Sequence, residues 1–538
     1  MKLKHIIFST LLLLTPQSQA LDVTEFESLP IQDGGRVKPF DTFAKENVQL
    51  ITGTQKYEGK NATELVMAWL FFPDQWLNQK FIQIKHLQLK KDLDMPETQS
   101  YLSPQDVIKN TKLPNIFTEL MHLQKEKKKL DNYYTAVNRL NNQLQSYQEI
   151  IAGRNIRLVP QALSPDWLPI SDIKGELQQA FNNIANNYYA AIAKKDDTLF
   201  VNAVKEFAQA TKLQAPQSYP QYSEIKMELI YNKYHPFRIA YIFYLLAIAA
   251  FTYSLSSTKK APWYFALALC FAGTLVHIFG FALRCWIAGR PPVSNMYESV
   301  IWVALGCIVI GVIFELIYKR KYIGLAASAM ATLCLIIGDA APAVLDQSIR
   351  PLEPVLRSNY WLTIHVLTIT LSYAAFALAT GIGNIALSYY VRGVETQNKE
   401  KINALSLYVY RSIQVGVLLL TAGTILGGVW ADYSWGRFWG WDPKETWALI
   451  ADLFYLAVLH GRFSGWLKAF GTIAASVVAF SGVIMAWYGV NFVLGVGLHS
   501  YGFGGGGVGY VGSVLAVQLL YVAIAGYQHR KVLKKAKT

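Results

Sequence analysis

The chain has 538 residues, 52% of them hydrophobic and 16% charged, a balance too apolar for an ordinary soluble protein and one that points to membrane spans. Its formal net charge of +14 does not indicate nucleic-acid binding, because the basic residues fall mostly in short clusters beside apolar runs and in the N-terminal third, where they read as topology signals and solvated faces. The four cysteines, Cys270, Cys285, Cys307 and Cys334, lie in or at the ends of apolar runs without CxxC spacing, which argues against a thiol oxidoreductase, a zinc module or covalent prosthetic-group attachment.

Taken in chain order, the first expected element is a cleavable secretory signal over 1–20: Lys2 and Lys4, an apolar stretch from Ile6 to Leu14, and the small-residue ending Ser18-Gln19-Ala20. That stretch is too short to span a bilayer. Residues 21–235 are polar with scattered aromatics, and stretches such as Met121 to Tyr147 have helical periodicity with few breakers, so they predict a mostly helical extracytoplasmic domain. Within it, Gly34 to Thr42 is turn-forming and identifies no chemistry by itself.

From Pro236 the pattern changes to apolar runs of helix-spanning length. Nine are expected, near 237–255, 262–286, 296–318, 322–341, 361–391, 409–430, 445–462, 468–489 and 509–527. The fold class is therefore an all-α polytopic membrane protein, with 236–538 as its transmembrane domain. With the N-terminal domain outside, the basic connections at Lys259-Lys260, Lys319 to Lys321, Arg392 to Lys401, Arg462 to Lys468 and Arg530 to Lys537 fall inside, as the positive-inside rule requires. The connections Gly289 to Asn295, Asp339 to Tyr360, Ala431 to Lys444 and Asn491 to Gly509 then fall outside.

The third of these outer loops holds the most unusual composition. From Trp430 to Trp447 the chain carries five tryptophans, Tyr433 and Phe438. An interfacial aromatic belt accounts for one or two tryptophans per helix end; it does not account for Trp435, Trp439 and Trp441 interleaved with Gly436 and Gly440. Ring faces beside glycines offer a stacking platform for a planar ligand. Arg437 and Lys444 are candidates to pair with its carboxylates, and Asp442-Pro443, with Glu445, reads as the N-terminal cap of the next helix.

Histidines are scarce among the spans. His365 lies at the outer start of one, His499 in the outer loop before the glycine run Gly502 to Gly507, and His460 about 20 Å below Trp447 along a continuous helix. Each alone reads first as a packed core residue. Imidazole on the two faces of a flat macrocycle is the usual way to hold haem iron without a covalent link, and His365 and His499 come from different segments, as opposed ligation needs. His460 lies too deep to share that site. His277 has Arg284 one face-repeat later, and Arg284 pairs most simply with Glu298 as a structural contact.

The stretch Trp435-Gly436-x-x-Trp439-Gly440-Trp441-Asp442-Pro443-Lys444-Glu445 resembles the tryptophan-rich WWD signature of haem-handling proteins. Its setting, with Gly289 to Ser299, the His365 span and the run to His460-Gly461-Arg462, is similar to the CcsA (ResC) family of system II cytochrome c biogenesis over residues 237–527. The resemblance implies haem b, bound noncovalently as substrate, with His365 and His499 as iron ligands beside the loop over 431–447. Its haem-contacting residues would be Trp435, Trp439, Trp441, Asp442 and Arg437. It assigns His460 to a haem site within the bilayer whose second ligand comes from a CcsB (ResB)-like subunit, unless His277 takes that place. The further implied partners are apocytochrome c and thiol-reducing proteins, in a bacterial cytoplasmic membrane. The implied reaction is thioether formation between haem vinyl groups and a CxxCH motif, within a holocytochrome c synthase complex. A haem exporter without synthase activity and a b-type electron-transfer subunit are the alternatives; the latter needs paired histidines at matched depth, whereas His365 and His460 lie near opposite faces.

Overall fold

The structure is a computed structural model that describes residues 21–535 except 127, 129, 195, 342–343, 353–357 and 496–506. The expected signal segment and His499 lie outside the described residues. The chain divides into two compact units, Met1–Ile230 and Tyr231–Thr538.

The N-terminal unit is mainly helical, with Phe40–Thr52, Asn132–Ile151, Gly175–Lys194 and Thr198–Gln214 among its longer helices. Its sheets among the described residues are four two-stranded antiparallel pairs. Aromatic packing organises the core: Trp69 stacks on Phe81 at 5.0 Å and meets the edge of Tyr147 at 5.6 Å. The Gly34-Gly35 turn joins strands Pro30–Asp33 and Arg36–Pro39, and both glycines adopt positive φ, which glycine tolerates without steric penalty. Just beyond it, the Arg36 guanidinium makes two 2.7 Å bonds to the Glu228 carboxylate, and Thr42 Oγ1 donates to the same group at 2.7 Å. This segment is thus an internal fastening of its own unit, since a bidentate pair restricts both side chains to one geometry.

Among the described residues, eight helices reach the length and apolarity needed to cross a membrane, including Ala261–Ala288, Met296–Tyr318, Lys399–Trp435 and Val508–Lys535. The chain is an all-α polytopic membrane protein with small sheets only in its N-terminal unit. The expected span at 445–462 corresponds to the helix Pro443–Phe463, which is 21 residues long but carries Lys444, Glu445, Asp452, His460 and Arg462. Its length suffices to cross a hydrocarbon core; its mean hydropathy is what sets it apart from the eight.

Two departures from the expected boundaries have physical causes. The apolar run at 409–430 is the middle of a 37-residue helix, Lys399–Trp435. At 1.5 Å per residue that helix is about 55 Å long, so its polar ends extend well past the roughly 30 Å core of a bilayer. The expected span at 361–391 begins with a π-helical segment, Leu362–Val366, before the α-helix Leu367–Val391. A second π-helical segment, Met485–Leu494, follows the helix Ala469–Ile484. The helices Leu367–Val391 and Pro443–Phe463 meet closely at one point, where Phe376 and Tyr455 stack at 3.7 Å and 5°.

A buried ionic cluster fixes the end of the unit at which the Met296–Tyr318 helix begins. Arg284 and Glu298 are both fully buried, 3.1 Å apart, and Arg290 reaches the other Glu298 oxygen at 3.2 Å. Arg284 also donates to the carbonyls of Gln347 (2.9 Å) and Ser348 (3.3 Å), and Arg290 to that of Arg350 (3.0 Å). One carboxylate and two guanidiniums thereby hold a loop against two helices. The arrangement satisfies charges that would otherwise be costly to bury.

Candidate functional site

The tryptophan-rich loop is shaped by its two flanking helices. Lys399–Trp435 stops at Gly436, which takes φ +67 and donates its N–H to the Asp432 carbonyl at 2.8 Å. The next helix starts at Pro443 with Asp442 as cap; the Asp442 side chain accepts from Lys444 N at 2.9 Å. Glu445 closes the capping box by accepting from Asp442 N at 3.2 Å, and it also accepts from Gly440 N at 2.8 Å. Its other oxygen lies 3.5 Å from Arg437, whose guanidinium sits 5.8 Å from the Trp435 ring centre. A single carboxylate therefore gathers the loop onto the helix N-terminus, where negative charge is favoured. Gly440 leaves room for this closure: a Cβ there would overlap the Arg437 guanidinium, which would have to swing away from its present place.

Replacing Glu445 by alanine is expected to cost about 1–2 kcal/mol, the size of a lost cap with unsatisfied donors. The loop should be loosened while the membrane helices persist. Limited proteolysis between Trp435 and Trp441, faster in the variant at unchanged helical content, is the check; equal cleavage rates would contradict it.

Beside this loop lies a pocket of about 1060 Å³ of empty space, its open mouth included. Its walls come from four segments: His365 and Ile369 from one, Gly427 and Trp430 from the next, Trp439 with Lys444 and Glu445 from the loop and its helix, and Trp487 with Asn491 from the second π-helical segment. The start of the Met296–Tyr318 helix, from Val293 to Ser299, completes it.

His365 is the half-buried imidazole of the pocket. It lies in the π-helical segment, a local widening frequent at functional sites. Its Nδ1 is 2.8 Å from the Gly423 carbonyl, an acceptor that fixes the proton on Nδ1 and makes Nε2 the lone-pair nitrogen. Gly427 leaves space for the ring: a Cβ there would stand 2.6 Å from His365 Cε1. Trp430 meets the imidazole edge-on at 5.7 Å and is stacked on Trp361 at 6.4 Å and 7°.

Of the residues singled out in the sequence, the pocket gathers His365, Trp439, Lys444 and Glu445. Trp435, Arg437, Trp441 and Asp442 belong to the adjoining loop and do not line it. Trp441 is 70% exposed and holds φ +56, an uncommon conformation for a bulky side chain, of the kind that persists where surrounding structure dictates it. Arg437 is engaged by Glu445 and Trp435, so of the two basic candidates Lys444 is the one at the pocket wall. His460 is exposed, with Nδ1 2.8 Å from the Leu456 carbonyl. It stands 15 residues beyond Glu445 on one helix, about 22 Å along the axis. His277 is fully buried, with Tyr244 Oη 3.3 Å from Nδ1 and the Ile301 carbonyl 3.1 Å from Nε2. Both its nitrogens are engaged within the helix core, which makes it a packing residue.

Sequence reasoning did not select Trp361, Trp487 or Asn491. Trp487 donates from Nε1 to Ser299 Oγ at 2.9 Å, tying two pocket walls together. Asn491 is anchored through Nδ2 on the Trp487 carbonyl at 3.1 Å, and its buried Oδ1 has no hydrogen-bond partner among the described residues. Both sit in an apolar run whose π-helical winding has no pattern of its own.

Comparison with known proteins bears on the same region. The profile of the cytochrome C assembly protein family matches residues 293–499, which contain all the residues that line the pocket. The CcsA cytochrome c biogenesis protein of Synechococcus sp. (strain CC9902) is 35% identical over 296 residues, covering 49% of this chain and 94% of that protein. Protein NrfI of Wolinella succinogenes is 27% identical over 504 residues, covering 87% of this chain. That match is longer than the membrane unit, so it extends into the N-terminal unit. The chain spans about half the length of NrfI, 53%. The solved cytochrome c haem lyase CcmF superposes only loosely, with a TM-score of 0.36 and 16% identity over 55% of this chain and 50% of that one. With nearly the whole of CcsA matched at this identity, the chain belongs to the cytochrome c assembly family of CcsA-like membrane proteins.

Proposed function

We propose that the protein binds haem b noncovalently in the pocket beside the tryptophan-rich loop, at the extracytoplasmic face. There it presents the haem for thioether attachment to the CxxCH motif of an apocytochrome c. The observation that carries this reading is His365: an imidazole of fixed tautomer, in a π-helical turn, at the wall of an open, aromatic-lined pocket beside the tryptophan-rich loop. His499 is the proposed opposite ligand. His460, exposed on the same helix as the loop, is the proposed ligand of a second site shared with a CcsB-like subunit.

The chemistry asks little acid–base work of the protein. Each cysteine thiol adds across a vinyl double bond, the sulfur bonding to one carbon and the hydrogen going to the other, so nothing leaves. What the site supplies is orientation and exclusion of competing reactions. Trp430 and Trp439 offer flat faces. Lys444 sits at the second position of a helix, where a cation is disfavoured by the helix dipole; a ligand carboxylate would relieve that conflict and be attracted by both charges.

Burial pulls the Lys444 ammonium down to about 8. It is charged below that value and neutral above it, while haem propionates remain ionised, so attraction weakens as pH rises through about 8. Haem affinity measured by Soret titration should therefore fall by up to about tenfold, one lost charge-assisted contact, between neutral and alkaline pH. K444R should remove that fall, because arginine stays charged. An identical profile for both proteins would contradict this assignment.

The test of the function is formation of covalent cytochrome. When the chain is expressed with its partner subunit and an apocytochrome c, haem-stained product should appear, and it should vanish with a CxxCH motif changed to SxxSH. Haem-loaded chain without covalent product under every reducing condition would support the exporter instead.

A further inference from the structure

Asp452 is a buried carboxylate that the proposed attachment chemistry does not use. It lies near the middle of the Pro443–Phe463 helix and is 7% exposed. Oδ2 accepts from Thr421 Oγ1 at 2.8 Å, and the buried Oδ1 has no hydrogen-bond partner among the described residues. No cation lies within ion-pair distance of it among the described residues. Both members of the pair stand about one helical turn from the pocket, since Ala448 and Thr424 line it and side chains three or four residues apart share a helix face. An ionisable side chain at such a position in a membrane helix marks function by default.

The groups around it narrow what that function is. The helix Ala469–Ile484 packs on the Asp452 helix and contains no titratable residue, and Lys399–Trp435 contains none between Arg411 and Asp432. The segments Met485–Leu494 and Leu367–Val391 bring Tyr488, Tyr373, Tyr389 and Tyr390, and its own helix adds Tyr455 one turn away, with Glu445, Lys444 and His460 about two turns away. Tyrosines are neutral near pH 7. Apart from Lys444 and His365 at the pocket wall, the described neighbouring helix faces bring no basic side chain to compensate Asp452, and a positive charge would be present when ferric haem fills the pocket.

We propose that Asp452 is the proton acceptor coupled to reduction of the iron in the pocket, an inference that rests on the reading of the pocket as a haem site. One electron from a low-potential one-electron donor converts ferric to ferrous iron and removes one positive charge. One proton from the aqueous mouth then converts the Asp452 carboxylate to the acid at Oδ1, while Thr421 holds Oδ2 in both states. Charge in the pocket region stays constant, and reduced haem, the form that accepts thiols, is favoured by protons.

The experiment is a redox titration of the haem-loaded full chain in nanodiscs across the neutral pH range, with dithionite as donor, for the natural protein and D452N. The midpoint of the natural protein should fall as pH rises, approaching a tenfold change in the reduction equilibrium per pH unit, or about 59 mV; the D452N slope should be markedly shallower. Equal slopes overturn the proposal. A second readout covers a D452N that does not fold: the reduced-minus-oxidised infrared difference spectrum should show a protonated-carboxyl band in the natural protein, displaced in T421V. A natural-protein spectrum without that band overturns the proposal as well. Failure of the natural protein to take up haem at all would instead refute the pocket reading itself.

Discussion

Replacement of His365 by alanine should strip haem from the purified protein, lowering affinity on the order of 100-fold or more. Loss even of an outer hydrogen-bond partner of a metal ligand costs 10–100-fold, and here the ligand itself is removed. The effect should be chemical and not structural: the side chain is half-buried, and added imidazole should restore part of the Soret band. G427A provides a graded companion. Its new methyl group would press on the imidazole from 2.6 Å, so the ring must tilt, and affinity should fall between the two extremes. Equal haem content and spectra in natural protein, H365A and G427A would remove His365 from the site.

A comparably large effect, on stability, is expected at Glu298. E298A would leave Arg284 and Arg290 buried beside each other without their shared counter-charge. Breaking a buried pair from one side typically costs about 3–5 kcal/mol, and thermal unfolding in detergent should show it. The pocket should respond too, because Val293 to Ser299 line it and Ser294 is held through its N–H and hydroxyl on the Glu298 carboxylate, both at 2.8 Å. Reduced haem retention in E298A with His365 intact would be the functional trace of a slackened wall. A variant with unchanged unfolding temperature would show that the cluster is dispensable.

Much of this architecture is legible in the sequence because it depends on local rules. Apolar run length and basic connections define the spans; Asp442-Pro443 with Glu445 spells out a cap; Arg284 and Glu298 are charges with few other places to go. The site is only partly legible. His365, Trp439 and Lys444 stand out as unusual residues, but Trp361, Trp487 and Asn491 sit in apolar runs that give no sign of facing a common cavity. The two π-helical segments explain the gap. Their extra residue per turn rotates side chains out of the 3.6-residue register on which face assignments rest, so a helical projection places Trp487 and Asn491 wrongly. The length of Lys399–Trp435 was hidden for another reason: its ends are polar, and hydropathy registers only the part suited to lipid.

Rival expectations for the histidines are separated by their surroundings. His277, with both nitrogens bonded inside the core, has no vacancy for iron. His460 presents itself on the exposed side of its helix and suits a ligand shared with a neighbouring subunit. His365 combines a fixed tautomer, a glycine-cleared space and aromatic walls.

An experimental structure of the haem-loaded protein tests the central claim most directly. The account predicts the porphyrin plane in the pocket between Trp430 and Trp439, with His365 Nε2 on the iron and a propionate toward Lys444. A porphyrin seated elsewhere, or iron in that pocket ligated without His365, would contradict it.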